Sequence, residues 1–159
     1  MPNGCRVAAL RAGIQILREG DRLARIDELH AANTITADEL WDLLRSTYFD
    51  VNDPYKSCPN LLNLFRAAVR SCGIIKFANE DAPTVPVIAY RGSDEKGKRG
   101  LSWSTNREVA RTFANQVTLG NIYVVEVQLA AILGVLRKAG EDELFVDYEL
   151  IAEPEEVIE

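Results

Sequence analysis

The sequence predicts an α+β fold, and a change of apolar rhythm along its 159 residues is what predicts it. Up to about Cys72 the apolar residues recur at intervals of three and four, the period of a helix. From Thr84 onward they alternate or come in short unbroken runs, the habit of strands. Helices first and strands later is the order of an α+β chain, not of a repeating βαβ array. No segment repeats, and no Gly-, Pro- or Ser-rich stretch is long enough to link two domains. We therefore expect one domain over 1–159, with a helical part at 1–75 and a β-rich part at 84–159.

Each element has a local cause. Val7, Leu10, Ile14 and Leu17 form one stripe of a first helix, with Gly20 as its stop. Leu23, Ile26 and Leu29 form the stripe of a second, over Asp21 to Ala31. Thr36-Ala37-Asp38-Glu39 is a capping box, Thr36 accepting from the Glu39 amide while the Glu39 carboxylate reaches back. The apolar face that follows runs from Leu40 and Trp41 to Tyr48 and Phe49. Asn52-Asp53-Pro54 and Pro59 bound a loop, after which Leu61 to Val69 supply another core helix that ends at Gly73.

In the second half Val85 to Tyr90 reads as a strand, with Pro86 at its start or on an edge. Leu101 to Thr105 is a second strand, and Asn106 caps a helix running to Asn115 that buries Val109, Ala110, Phe113 and Ala114. Ile122 to Leu129 is the strongest strand. Leu133 to Leu136 and Leu144 to Ile151 follow, separated by a turn at Lys138-Ala139-Gly140.

Composition excludes several function classes. Hydrophobic residues are 47% and charged residues 26%, ordinary globular values, and no apolar run approaches the roughly 18 residues of a membrane span. Arg6, Arg11 and Arg18 interrupt the N-terminal apolar residues, so no secretion signal is read and the expected location is cytoplasmic. Cys5, Cys58 and Cys72 have no C-x-x-C spacing and suit reduced thiols, not a disulfide framework or a metal site. The lone His30 leaves only one base for a Cys/His or Ser/His/Asp arrangement, with no nucleophile motif near it in sequence. A formal charge of -6 repels phosphate backbones, and the one dense basic run, Lys96, Lys98 and Arg99, is short, so no nucleic-acid partner is expected.

One motif is a near miss. Gly92-Ser93-Asp94-Glu95-Lys96-Gly97-Lys98 satisfies G-x-x-x-x-G-K after a strand, but Arg99 stands where a phosphate loop needs Ser or Thr, and a strand follows where it needs a helix. Asp94 and Glu95 would also repel a triphosphate. Ser93 to Gly100 is expected to be a mobile surface loop of mixed charge.

Three stretches point elsewhere. Tyr90-Arg91-Gly92, then Gly100-Leu101-Ser102-Trp103-Ser104-Thr105-Asn106 with Ala110 and Phe113-Ala114 behind it, then Gly140-Glu141-Asp142-Glu143-Leu144-Phe145-Val146-Asp147, resemble the arginine-serine-glutamate class of mono-ADP-ribosyltransferase folds. The likeness is to small phage-encoded and prophage-encoded members and covers 84–151, about half the chain, with a weaker echo at Leu40-Trp41 and Leu61 to Phe65. It implies a helical N-terminal half packed on a mixed, mainly antiparallel split β-sheet of ADP-ribosyltransferase type, with 84–159 as the NAD-binding part.

The resemblance also implies roles. Glu143 would bond the nicotinamide ribose and stabilise positive charge developing as the glycosidic bond breaks, and Glu141 would position or deprotonate the acceptor. Arg91 would contact NAD phosphate or ribose oxygens, and Gly92 would let its backbone approach the carboxamide. Ser102 matches the leading serine of the family's Ser-Thr-Ser strand and Ser104 the third, with Trp103 a departure at the second; a register on Ser104-Thr105 is the alternative. Phe113 and Tyr123 are the candidates for stacking on nicotinamide. NAD would be a consumed substrate, and no metal is called for. The function implied is transfer of ADP-ribose from NAD to a protein side chain, arginine by preference, by a phage or prophage effector against host machinery. The alternatives are NAD hydrolysis, and a catalytically silent fold whose acidic surface docks a basic protein.

Overall fold

A computed structural model describes residues 2–78, 80–138 and 141–158, with the side chains of residues 2, 3, 138 and 141 left aside. The fold is α+β. The chain divides into two compact units, 1–75 and 76–159, and the break falls where the helical period ends in the sequence.

The first unit is helical: α1 (Pro2–Gln15), α2 (Glu19–Ala31), α3 (Ala37–Thr47), α4 (Pro54–Ser57) and α5 (Leu61–Cys72). Leu23, Ile26, Leu40, Leu44, Leu61 and Phe65 are fully buried, while of the first stripe only Ile14 is buried, Val7, Leu10 and Leu17 being half-buried and Leu17 lying beyond the end of α1. Gly20 is not a stop. The first helix ends five residues earlier, at Gln15, and Gly20 is the second residue of α2, whose first turn carries Glu19 and Asp21 where carboxylates face the positive end of the helix. The stretch read as a loop between Asp53 and Pro59 contains α4, started by Asp53, whose carboxylate accepts from the Lys56 amide at 3.3 Å, and by Pro54 at the first helical position.

The capping box at α3 is complete. Thr36 Oγ1 accepts from the Glu39 amide at 3.2 Å, and Glu39 Oε2 accepts from the Thr36 amide at 2.8 Å. Glu39 is buried, and Arg6 Nε donates to its other oxygen at 2.6 Å. The Thr36 amide, ahead of the opposing effect of burial and with help from Arg6, holds the Glu39 carboxyl below its ordinary value. Gly73 ends α5 with φ of 79°, a left-handed conformation that favours glycine. Cys5, Cys58 and Cys72 are all free thiols.

Among the described residues the sheet has seven strands: β1 (Ile75–Lys76), β2 (Val87–Ser93), β3 (Ser102–Ser104), β4 (Asn121–Val127), β5 (Ile132–Lys138), β6 (Glu141–Val146) and β7 (Glu155–Glu156), ordered β1-β5-β6-β3-β2-β4-β7. The pairings β2 with β3, β2 with β4, β3 with β6, β4 with β7 and β5 with β6 are antiparallel. The last long strand starts earlier than expected: Glu141 to Glu143 lie inside β6, not at a turn before it. Ala139 and Gly140, where the turn was expected, lie outside the described residues.

Helix α6 (Arg107–Ala114) connects β3 to β4, with the Asn106 side chain accepting from the Glu108 amide at 3.0 Å. It packs Ala110 and Ala114 on Ile122, with Tyr90 alongside. Phe113 does not join them. It is 53% exposed, because the small residues at 110 and 114, four apart, take the buried stripe and position 113 falls beside it. No helix among the described residues is long and apolar enough to cross a membrane.

Replacing Thr36 with Ala should cost about 1 kcal/mol in chemical denaturation, the usual loss for such a cap. Glu39→Gln tests the carboxylate through pH. Because the folded carboxyl titrates below its ordinary 4.5, its stabilisation is present above that value and fades as pH falls through the folded one. The stability gap between wild type and Glu39→Gln should therefore close on acidification; a gap independent of pH would contradict the assignment.

Candidate functional site

The site is built where β2, β3 and β6 lie side by side under α6. Ser104 is paired with Tyr90 on one side and with Glu143 on the other, and Ser102 with Phe145. Partners directly opposite in an antiparallel pair share a face, and so do residues two apart on a strand. Tyr90, Gly92, Ser102, Ser104 and Glu143 consequently share one face, the one on which α6 lies.

Glu143 stands diagonal to Ser102, within reach of its hydroxyl, and Ser102 Oγ donates to Glu143 Oε1. This is a charge-assisted bond, the strong kind, and it fixes one carboxylate oxygen in space. Ser104 is buried and acts differently: its Oγ accepts from the Asn106 amide at 3.0 Å, linking the strand to the start of α6.

A cavity of about 230 Å³ opens over this face. Gly92, Ser102, Ser104, Phe113 and Glu143 are on its wall, so five of the eight residues proposed from sequence come together; Arg91 also borders it, but from a strand position whose side chain belongs to the other face. Thr105 does not line it; it is exposed on the wall of a neighbouring cavity, and its amide donates to the Asp142 carbonyl at 3.0 Å. Glu141 lies on β6, and its side chain is outside the described residues.

Arg91 has a different task from the one expected. By the alternation of β2 it leaves the sheet on the face opposite Tyr90 and Gly92, and its Nε donates to the Gly97 carbonyl at 2.7 Å and its Nη1 to the Ser102 carbonyl at 2.6 Å. The guanidinium thus ties the 94–100 loop to the start of β3. Gly100 lies beside it, and a Cβ there would oblige the guanidinium to shift. Trp103, buried on the same face as Arg91, donates from Nε1 to the Gly100 carbonyl at 2.8 Å.

Gly92 is also put to a use the sequence did not reveal. The place a Cβ would occupy is filled by the Ala110 carbonyl and the Ala114 amide of α6, so the missing side chain lets a helix settle on the strand. Of the two aromatic candidates, Phe113 is at the cavity wall. Tyr123 is not: it is paired with Arg91, faces the other way, and its hydroxyl donates to Glu95 Oε2 at 3.0 Å.

The 94–100 loop is pinned, contrary to the mobile loop expected. Gly97 donates its amide to Asp94 Oδ1 at 2.8 Å, Lys98 bonds both Glu95 and Glu153 at 2.6 Å, and Arg99 donates to the Tyr148 carbonyl at 2.8 Å and to Glu153 at 3.0 Å. Facing two carboxylates, Lys98 is held above its ordinary value, and Lys98 in turn holds Glu153 and Glu95 below theirs.

Tyr90, Trp103, Ala110 and Asp142, to which the sequence assigns no part in the site, also line the cavity. Tyr90 was findable, because it lies two residues before Gly92 on a strand. No protein-family model, no curated protein and no solved structure matches this chain.

The Gly92 contact makes a sharp prediction. Gly→Ala inside a strand ordinarily stabilises by about 0.5–1 kcal/mol. Gly92→Ala should instead destabilise by about 3 kcal/mol, the cost of overpacking against backbone. Gly13→Ala in α1, where a Cβ meets nothing within 4 Å, should show the ordinary gain. Equal effects of the two in denaturant titration would refute the close approach.

Proposed function

We propose that the protein is a mono-ADP-ribosyltransferase that moves ADP-ribose from NAD to a side chain of another protein, with arginine as the preferred acceptor. One observation carries the reading: the Ser102 hydroxyl bonds the Glu143 carboxylate on the wall of a cavity that Arg91 and Gly92 also line. The order arginine, serine, glutamate along three strands matches the resemblance, and the arrangement suits the chemistry. Breaking the bond between nicotinamide and ribose develops positive charge at the sugar, and a fixed carboxylate beside it stabilises that charge more than it stabilises the substrate.

The parts divide as follows. Glu143 faces the sugar, and Ser102 keeps its carboxylate in one orientation. Arg91 braces β3 from behind through the Ser102 carbonyl, a positioning part that replaces the phosphate contact expected for it. Phe113, half exposed at the wall, offers a face for the nicotinamide ring. At about 230 Å³ the cavity is smaller than the roughly 300–1,000 Å³ that encloses a drug-sized ligand. It therefore takes the nicotinamide ribosyl end, with the adenosine half lying over the open rim. An origin in a phage or prophage, acting on host machinery in the cytoplasm, completes the reading and rests on the resemblance alone.

Protein incubated with labelled NAD and bacterial lysate should transfer label to protein. Glu143→Gln keeps the shape and removes the charge, and should lower transfer about 100-fold or more, the loss typical when one electrostatic partner of a transition state is removed. Full labelling by Glu143→Gln would remove this residue from the mechanism. Absence of both labelling and nicotinamide release from wild type would sink the activity itself.

A further inference from the structure

Ser102 sits past the end of the β2–β3 ladder, and this decides what holds it. Among the described residues β2 and β3 pair at Tyr90 and Ser104 alone. On the other side of β3 the Val146 amide donates to the Leu101 carbonyl at 2.7 Å and the Thr105 amide to the Asp142 carbonyl at 3.0 Å, so positions 101 and 105 point their backbone groups at β6. Alternate residues of a strand turn these groups to opposite sides, and the carbonyl of Ser102 is therefore directed toward β2, beyond the ladder. The Arg91 guanidinium meets it there, Nη1 donating at 2.6 Å. We propose that Glu153, remote from the cavity in sequence and in contacts, is a positioning residue for Ser102 and Glu143, acting through the 94–100 loop and Arg91; its catalytic consequence rests on the transferase reading.

Every link is a contact. Glu153 receives Lys98 Nζ at 2.6 Å on one carboxylate oxygen and Arg99 Nη2 at 3.0 Å on the other. Those two cations follow directly after Gly97, whose carbonyl accepts from Arg91 Nε at 2.7 Å. A guanidinium is planar and rigid, so a displaced Gly97 carbonyl turns the plane and moves the donor that holds the Ser102 carbonyl. Ser102 Oγ in turn donates to Glu143 Oε1. The start of β3 and the carboxylate bonded to it are thereby set from the far end of the loop.

The other fastenings of the loop do not duplicate this one. Glu95, the second partner of Lys98 at 2.6 Å, belongs to the loop itself and reaches the sheet through the Tyr123 hydroxyl at 3.0 Å. The Tyr148 carbonyl, at 2.8 Å, holds Arg99 and not Lys98. Glu153 is the group outside the loop that receives both cations, and a carboxylate is needed for that: the amide of Gln has one acceptor oxygen and would turn an NH2 toward the other cation.

Glu153→Gln should lower kcat for label transfer about fivefold, inside the range that coupling through residues touching neither ligand produces. KM for NAD should stay within about twofold, because a misaimed carboxylate costs the transition state and not ground-state binding. Glu153→Asp keeps both acceptor oxygens and should recover part of the loss, while Glu28→Gln, which breaks an exposed ion pair with Arg25 in α2, should change neither constant. A second readout needs no turnover. The two tryptophans each donate an indole N–H, Trp103 to the Gly100 carbonyl at 2.8 Å and Trp41 to the Gly73 carbonyl at 3.3 Å. In Glu153→Gln the Trp103 indole should exchange with deuterium about fivefold faster, as a local opening made easier, with Trp41 in the helical unit as the unchanged reference. An unchanged kcat, a loss confined to KM, no recovery in Glu153→Asp, or indole exchange equal to wild type would each overturn the proposal. Wild-type protein that neither transfers label nor releases nicotinamide sinks the transferase reading instead, and the indole exchange then decides by itself whether Glu153 holds the start of β3.

Discussion

The register between β3 and β6 is the constraint on which the site depends. With Ser104 opposite Glu143, the carboxylate faces α6 and lies diagonal to the Ser102 hydroxyl. A slip of one residue would turn Glu143 to the other face and bring Leu144 into the cavity. The register is held from the core, not by the polar residues themselves. Trp103 is paired with Leu144 and both are buried, while Phe145 is fully buried with its ring centroid 4.9 Å from that of Phe77. Main-chain bonds close both ends, Val146 to the Leu101 carbonyl at 2.7 Å and Thr105 to the Asp142 carbonyl at 3.0 Å. Apolar packing thus aims a carboxylate that contributes nothing to that packing.

The 94–100 loop is the second support. Arg91 grips it from the sheet side, and Lys98 and Arg99 fasten its far end to Glu153 and to the Tyr148 carbonyl. Exposed ion pairs of this kind are individually weak, because solvent screens them. Their effect here is geometric, because Lys98 bridges two carboxylates and Glu153 receives two cations, so no single contact can open without loosening another. The carboxylate shifts run downward and the lysine shift upward. The network's stabilisation therefore holds between those limits, lost as pH falls through the lowered carboxyl values or rises through the raised lysine value.

What was legible in the sequence was what local chemistry dictates. The capping box at Thr36 and Glu39, the Asn106 cap, the end of α5 at Gly73 and the stripes of α2 and α5 each follow from residues within a few positions, and all appear. Ser102 and Ser104 were read as strand residues and share a face through the pleat, whereas Glu143, read at a turn, joins them because β6 begins earlier than expected. Gly20 apart, the failures involve partners outside the local stretch of chain. Gly20 was read as a stop because glycine commonly ends a helix, although Glu19 and Asp21 on either side of it suit a helix start. Arg91 looked like a ligand contact because its acceptors, the carbonyls of Gly97 and Ser102, carry no signature in the sequence. Phe113 was counted as core because the competing claim of Ala110 and Ala114 arises only once Gly92 is beneath them. The loop was expected to move because Glu153, which holds it, lies more than fifty residues away.

The same close approach explains why an aromatic is left exposed. Gly92 without a Cβ, and alanines at 110 and 114, let the backbone of α6 rest on β2. With Ala110 and Ala114 seated on the strand, Phe113 remains half exposed on the wall of a cavity that a hydrogen-bonded carboxylate also lines. An exposed phenyl face is unfavourable in water, and the chain could have relieved it by a larger residue at 92 that lifted the helix. Keeping the helix low leaves the cavity with an apolar ring and a carboxylate on its wall. The packing that leaves Phe113 out and the register that aims Glu143 in meet through adjacent strands, β2 and β3, so the two walls of the site are set by one piece of sheet.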